Sequence, residues 1–373
     1  MQNSRREWLK KSTVAALGLG LSLRSLANEE GLLRNDPRTA GMLNLGSNEN
    51  PYGISPKAKE VIKGLIGESN RYQYNVPAIG NFRNELADHY GVTREQIIIT
   101  PGSGEGLIRL ARYYGQRGNI VTADPTFATL PSVAENIGAR VTKVPLTTEK
   151  VHDLEALKSA INNETSLVYL CNPANPTATM LRHDVIRDFC LEVSKKTAVL
   201  IDEAYIDYLT APDNRSLAYL VADNPNIIVL RTFSKIHAMA GMRIGFTIAH
   251  PTLSKALYET EYQRSMFGCA VPSMGAALTS LKDVAHQDMS REKNAIARAY
   301  TYDTLKKMGY LIYPSHTNFL FFKLADYKGD FAADMLKKNI VLRSSDYTDG
   351  KWCRVSVGTL DEMKQFIAEM RKL

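Results

Sequence analysis

The chain has 373 residues, more than one average domain holds and enough for two closely packed ones. Apolar residues make up 44% and charged residues 23%, the balance of a globular protein with a large core. A net charge of +7 without a basic block gives no reason to expect nucleic acid as a partner, and no run reaches the ~18–20 apolar residues of a membrane span.

At the start, Ser4-Arg5-Arg6-Glu7-Trp8-Leu9-Lys10 precedes a weakly apolar, small-residue run, Ser12 to Leu23, and then Ser25-Leu26-Ala27. A basic region, an apolar region and a small-x-small site, in that order, predict an export signal over residues 1–27. The paired arginines point to the twin-arginine route, which would carry the folded protein to the periplasm. Trp8 stands where that motif more often has Phe. A basic tail or a short amphipathic helix is the plainer alternative. Without the segment the chain keeps 41 basic and 38 acidic residues, a net of +3. The four cysteines, Cys171, Cys190, Cys269 and Cys353, are widely spaced and predict thiols rather than a disulfide framework. No metal site is expected.

From about Gly91 to His250 short β-rich runs alternate with helical patterns. Strands are predicted at Gln96–Thr100, Asn119–Thr122, Arg140–Val144, Leu167–Cys171, Ala198–Asp202, Ile227–Arg231 and Gly245–Ala249. Helices are predicted at Glu105–Tyr114, Ala128–Ile137, Leu154–Ile161 and Arg182–Lys195. Near-continuous apolar strands between helices imply a mostly parallel sheet covered on both faces, with ligands at the carboxyl ends of its strands. Beyond Val271 come one long helical pattern, Met274 to Met308, then Thr317–Leu324, a helix at Phe331–Asn339, short strands at Ile340–Arg343 and Cys353–Val357, and a last helix at Leu360–Lys372. The expected organisation is an arm (residues 28–70) contributing to a small domain, a large ligand-binding domain (71–270) and a small α+β domain (271–373).

Four segments that follow predicted strands carry chemistry. Thr232-Phe233-Ser234-Lys235 places a lysine in a polar loop, where a neutral amine can act as a nucleophile if cations or burial lower its pKa. A surface lysine is the plainer reading of that segment alone. Asp202, in Ile201-Asp202-Glu203-Ala204-Tyr205, ends an apolar strand, and a buried carboxylate needs a cation or donors. A helix cap or structural ion pair would also satisfy it. Cys171-Asn172-Pro173-Ala174-Asn175-Pro176-Thr177 fixes a rigid turn whose Asn amides can donate to a ligand, or a purely structural turn. Gly102-Ser103-Gly104-Glu105-Gly106 opens a helix, an arrangement suited to a phosphate although not the dinucleotide fingerprint.

Together these segments resemble the fold-type-I pyridoxal-phosphate (PLP) aminotransferases, and within them the histidinol-phosphate aminotransferase group. The resemblance runs from Asn48 to the C-terminus. It rests on eight ordered matches: Asn48-Glu49-Asn50-Pro51-Tyr52, Arg71-Tyr72, the glycine turn at Gly102, Pro125-Thr126-Phe127, Asn-Pro-Ala-Asn-Pro, Asp-Glu-Ala-Tyr, Ser-Lys with Gly241-Met242-Arg243, and Arg354-Val355-Ser356-Val357-Gly358-Thr359. It implies an α/β fold, with a mostly parallel seven-stranded sheet flanked by helices and a smaller α+β domain. By this resemblance Lys235 is the Schiff-base lysine and proton shuttle. Asp202 pairs with the pyridine nitrogen, Tyr205 and Asn175 donate to the ring 3-oxygen, and Phe127 stacks on the ring. Ser103, Gly104 and Glu105 with Thr232, Ser234 and Arg243 form a phosphate cup. Arg354 grips the substrate carboxylate, and Tyr52, Asn175 and Arg343 lie toward the substrate. Tyr72 reaches the cofactor phosphate of a neighbouring subunit, which implies a homodimer with shared sites. The activity implied is ping-pong transfer of an amino group between an amino acid and a 2-oxo acid. A decarboxylase on the same scaffold is the first alternative and a non-catalytic PLP-binding protein the second. Ala178 replaces the family's usual glycine after Asn-Pro-Thr. Gln73-Tyr74-Asn75 replaces a Pro-rich form near the substrate entrance. Export sits poorly with histidinol phosphate, since histidine synthesis is cytosolic, and favours an amino acid or amine found outside the inner membrane.

Overall fold

The structure, a computed structural model, describes residues 41–77, 80–262, 268–325 and 327–372. The predicted export signal lies outside them. Among the described residues no helix is long and apolar enough to cross a membrane.

After β1 (Leu43–Asn44), helix α1 (Pro56–Leu65) starts on the Ser55 side chain with Pro at its first position, and α2 (Phe82–Tyr90) ends on Gly91 in the left-handed region. The alternating segment then delivers all seven predicted strands. They are β2 (Ile97–Thr100), β3 (Asn119–Asp124), β4 (Val141–Pro145), β5 (Thr165–Cys171), β6 (Ala198–Asp202), β7 (Ile227–Thr232) and β8 (Gly245–Ile248). Between them run α3 (Ser103–Gly115), α4 (Thr129–Asn136), α5 (Leu154–Ala160) and α6 (His183–Val193). The sheet order is β2-β8-β7-β6-β5-β3-β4. Only β8 runs against its neighbours, because it doubles back directly after β7. The fold is therefore the expected mostly parallel α/β sheet. Its central strands are buried on both faces. Val199, Ile201, Ile227 and Val229 pack on one side, and Leu200, Ile228 and Leu230 on the other, the alternation that a pleated strand imposes.

The later part departs from the predicted single long helix. Helix α7 (Pro251–Leu257) is followed by α8 (Val271–Lys282) and α9 (Val284–Lys307), which part at Asp283. Asp283 is buried, and its carboxylate accepts the Ser55 hydroxyl at 2.5 Å and the Lys57 amine at 2.8 Å. Those contacts hold its backbone at φ −89°, ψ 65°, outside the helix. The predicted strand Ile340–Arg343 likewise divides. After β9 (Phe319–Lys323) and α10 (Phe331–Lys337), β10 (Ile340–Val341) pairs parallel with β1. Then β11 (Arg343–Tyr347) forms an antiparallel hairpin with β12 (Gly350–Ser356), and α11 (Leu360–Met370) closes the chain.

Apolar cores form on both faces of the large sheet, and a further one forms around β9 and β12. Leu43 and Leu45 join this last one with Leu320, Phe322, Val355 and Phe366. Ala58 of α1 and Val271, Met274, Leu278 and Leu281 of α8 join the larger of the two sheet cores. The arm is thus shared between those two cores, and α8 packs with the sheet.

Candidate active site

Strands β2, β5, β6 and β7 run the same way, so Thr100, Cys171, Asp202 and Thr232 finish at one edge of the sheet. The segments leaving that edge enclose a cavity of about 510 Å³, within the range of small-molecule sites. It is lined by twelve of the residues singled out in the sequence: Ser103, Gly104, Phe127, Asn175, Asp202, Tyr205, Thr232, Ser234, Lys235, Arg243, Arg343 and Arg354. Three others do not line it. Tyr52 lies under the Lys293 amine, 5.4 Å from its ring centroid. Glu105 accepts the Arg109 side chain at 2.7 Å. Tyr72 is 61% exposed and stacks on Tyr74 with ring centroids 5.5 Å apart.

One end of the cavity is built for an anion. Helix α3 begins at Gly102 with no side chain capping its first amides, so the helix dipole and the N–H groups of its first turn face the cavity at Ser103 and Gly104. Gly102 sits at φ +81°, and a Cβ there would overlap the Arg243 guanidinium. Only glycine lets that cation come so close to the helix start. Thr232 Oγ1 donates to Ser234 Oγ at 3.0 Å and accepts the Ser234 amide at 3.1 Å, which places both hydroxyls beside the helix.

The centre holds a carboxylate and an amine. Asp202 is 2% exposed and accepts the Ala204 amide at 3.1 Å and the Tyr169 hydroxyl at 3.4 Å. Among the described residues no cation lies within ion-pair distance of it. Burial pushes its carboxyl up to about 6, against the pull of those two donors and of Lys235. Lys235 Nζ donates to the Asn48 carbonyl at 3.3 Å and lies 5.4 Å from the Tyr205 ring centroid.

The other end aligns donors for a second anion. Arg354 Nη1 donates to Asn175 Oδ1 at 2.8 Å, which turns the Asn175 amide toward the Tyr205 hydroxyl, 3.2 Å away. Asn48 Nδ2 also donates to that hydroxyl, at 2.9 Å. Burial raises the Tyr205 phenol, an effect the nearby Arg354 tempers. The Gly46 carbonyl accepts Arg354 Nη2 at 2.9 Å and Arg343 Nε at 3.0 Å, so one backbone oxygen gathers two guanidiniums. Arg354 Nε is buried with no hydrogen-bond partner among the described residues, a donor left for a ligand. Burial also lowers the Arg354 pKa, as expected for a desolvated cation awaiting a counter-ion.

Residues 40–370 match the model of the family described as aminotransferase class I and II. The chain belongs to that family. This aminotransferase is 36% identical over 336 residues to a histidinol-phosphate aminotransferase of Moorella thermoacetica, covering 89% of this chain and 85% of that protein. It is 34% identical over 334 residues to one of Brevibacillus brevis, covering 89% and 90%. The crystal structure of histidinol-phosphate aminotransferase from Sinorhizobium meliloti in complex with pyridoxal-5'-phosphate superposes with a TM-score of 0.80 at 25% identity, covering 92% of this chain and 98% of that one. The cofactor of this aminotransferase is PLP, and the cavity fits it. A helix start beside the Arg243 guanidinium would suit its phosphate, and a buried carboxylate with no cation at ion-pair distance among the described residues would suit a protonated ring nitrogen. An amine stands between them.

Several contributors carried no assigned role in the sequence reading: Gly46, Asn48, Tyr169, Asn318 and Ser356. Asn48 lay inside a recognised motif, and so did Ser356, whose hydroxyl accepts the Asn48 amide at 2.7 Å. Asn318 Nδ2 donates to the Asn48 carbonyl at 3.0 Å. The Gly46 carbonyl, being backbone, left no side-chain signal to read.

Proposed function

We propose that this aminotransferase moves an amino group between an amine donor and a 2-oxo acid, in two half-reactions at this cavity. The observation that carries the reading is the convergence of Lys235, Asp202, the Tyr205–Asn175 pair and the Arg354–Arg343 pair on one cavity. PLP, when bound, supplies an aldehyde for the donor amine and a ring that takes up the electron pair released at Cα. Lys235 Nζ would hold the cofactor at rest and afterwards carry a proton to and from Cα as general base and acid. Asp202 would keep the ring nitrogen protonated. Tyr205 and Asn175 would donate toward the ring 3-oxygen, and Phe127 would cover the ring.

Two guanidiniums on one carbonyl fit an anion close to the reacting carbon. A carboxylate meets Arg354 bidentately. A phosphate, as in the substrate named for the relatives, would engage both arginines. The donor is therefore an amine bearing an adjacent anionic group, either an amino acid or a phosphorylated amino alcohol. Tyr72, exposed beside Tyr74, supports a homodimer in which it reaches the partner's cofactor phosphate; a monomeric mass by light scattering would remove that reading. The basic, apolar and small-residue order of residues 1–27 supports export by the twin-arginine route. Arg5→Lys with Arg6→Lys should then retain the protein in the cytoplasm on fractionation.

The decisive experiment is a spectroscopic screen of the holoenzyme against amino donors, following loss of the bound-cofactor absorbance. Amino acids or phosphorylated amino alcohols should bleach it, and a 2-oxo acid should restore it. Lys235→Ala should slow this exchange by about 10²–10⁴-fold, the usual contribution of a positioned proton-transfer group. Release of CO2 with no need for an oxo acid would replace the reading by decarboxylation.

A further inference from the structure

The loop that carries Asp202 and Tyr205 is bridged from behind by a buried guanidinium. Strand β7 leads directly into Lys235, and its side chains alternate between faces. Thr232 points to the cavity, so its neighbour Arg231 points to the opposite face. There Arg231 is 5% exposed, a position that a guanidinium occupies only when its donors are matched.

Its partners are Glu203 Oε2 at 3.4 Å and Asp207 Oδ1 at 2.7 Å. These two carboxylates lie two residues before and two residues after Tyr205, so the guanidinium fork spans the tyrosine. Both ends are anchored further. Glu203 accepts the Ser216 hydroxyl at 2.6 Å and the Leu217 amide at 2.8 Å. The Asp207 carbonyl accepts Arg291 Nε of α9 at 2.8 Å. The Tyr90 ring flanks the guanidinium, its centroid 5.4 Å from Cζ. A buried ion pair is a poor source of net stability, since a well-packed apolar group often does as well. What a fork between two carboxylates does supply is a fixed geometry.

We propose that Arg231 is a positioning residue of the transamination site: by bridging Glu203 and Asp207 it sets the Asp202–Tyr205 loop against the strand that delivers Lys235. The inference rests on the cofactor-holding roles proposed above for Asp202, Tyr205 and Lys235. With the bridge intact, the acceptor for the ring nitrogen, the donor to the ring oxygen and the reactive amine keep one spacing. With it broken, the loop is free to shift while the anion sites at Arg354 and at the start of α3 remain.

The test is Arg231→Lys in the holoenzyme, because lysine keeps the charge but has no planar fork to engage both carboxylates. Arg231→Met, which leaves the buried Glu203 and the half-buried Asp207 carboxylates uncompensated, serves as the folding control. Arg231→Lys should bind PLP and melt within a few degrees of wild type. Its kcat should fall by about ten- to a hundredfold, the range for a misplacement near 1 Å, with little change in KM. The pH midpoint of its bound-cofactor absorbance should move from the wild-type value. An Arg231→Lys protein with wild-type kcat and midpoint, whatever its melting temperature, would overturn the proposal. A wild-type protein showing no bound-cofactor band would instead defeat the underlying cofactor assignment.

Discussion

Ala178 shows how a single backbone angle is balanced near the site. It stands at φ +63°, a conformation that costs a residue with a Cβ about 1–2 kcal/mol. Yet Ala178 is fully buried, in a small cluster with Tyr205, Ile236 and Phe319. Ala178→Gly would relieve the strain but lose about 0.8 kcal/mol of methyl burial and about 0.5–1 kcal/mol to the greater freedom of the unfolded chain. The terms nearly cancel, so urea unfolding of Ala178→Gly should give a stability within about 1 kcal/mol of wild type. Ala178→Val, β-branched in the same angle, should lose more than about 2 kcal/mol. A large gain for the glycine variant would show that the methyl contributes little. The sequence revealed the departure from glycine. It did not reveal the packing that offsets it, because Phe319 and Ile236 come from distant parts of the chain. Residues acting through side chains in ordered motifs, such as Asp202, Lys235 and Arg354, were readable. Gly46, acting through its carbonyl, was not.

Elements were legible where their cause is local. The central strands of the large sheet, such as β5, β6 and β7, are near-continuous apolar runs, and burial on both faces demands nothing else of them. The break between α8 and α9 is different, since periodicity runs through it and its cause lies 228 residues away, where the Ser55 hydroxyl meets the Asp283 carboxylate. Lys57 and Ser55 together hold that carboxylate below the usual range. Ser55 also accepts the Ala58 amide at 3.4 Å as the cap of α1, so one hydroxyl starts a helix and ends another. Ser55→Ala should therefore destabilise the protein by about 1–2 kcal/mol, as the loss of a cap and of a hydrogen bond to a charged group. In a double-mutant cycle with Asp283→Ala the two losses should fall short of additivity by at least about 0.5 kcal/mol. Strict additivity would mean that the contact does not set the break.

At the scale of the whole molecule, cofactor and stability are coupled through Asp202. Without PLP its carboxyl is pushed up to about 6 by burial, whereas in the unfolded chain an aspartate titrates near 3.9. Between those values the folded state holds more protons than the unfolded state, so stability falls as pH rises. The favourable contribution is complete below about pH 4 and is lost as pH passes through about 6. The shift of about two units corresponds to about 3 kcal/mol at 1.36 kcal/mol per unit. Other buried groups titrate as well, among them Glu203, which burial raises, and His237, which burial pushes down to about 4. The Asp202 share must therefore be read by difference. Cofactor-free wild type and Asp202→Asn, compared by urea unfolding, should diverge progressively from pH 4.5 to about 6.5 and then level off, with wild type losing about 2 kcal/mol relative to the variant over that range. Refilling the wild type with PLP should abolish that loss, because a protonated ring nitrogen beside the carboxylate favours its ionised form. The coupling fails if the difference between the two cofactor-free proteins is the same at every pH. It also fails if PLP raises the stability of both proteins equally across the range. Either result would mean that Asp202 does not face the cation for which its burial leaves it waiting.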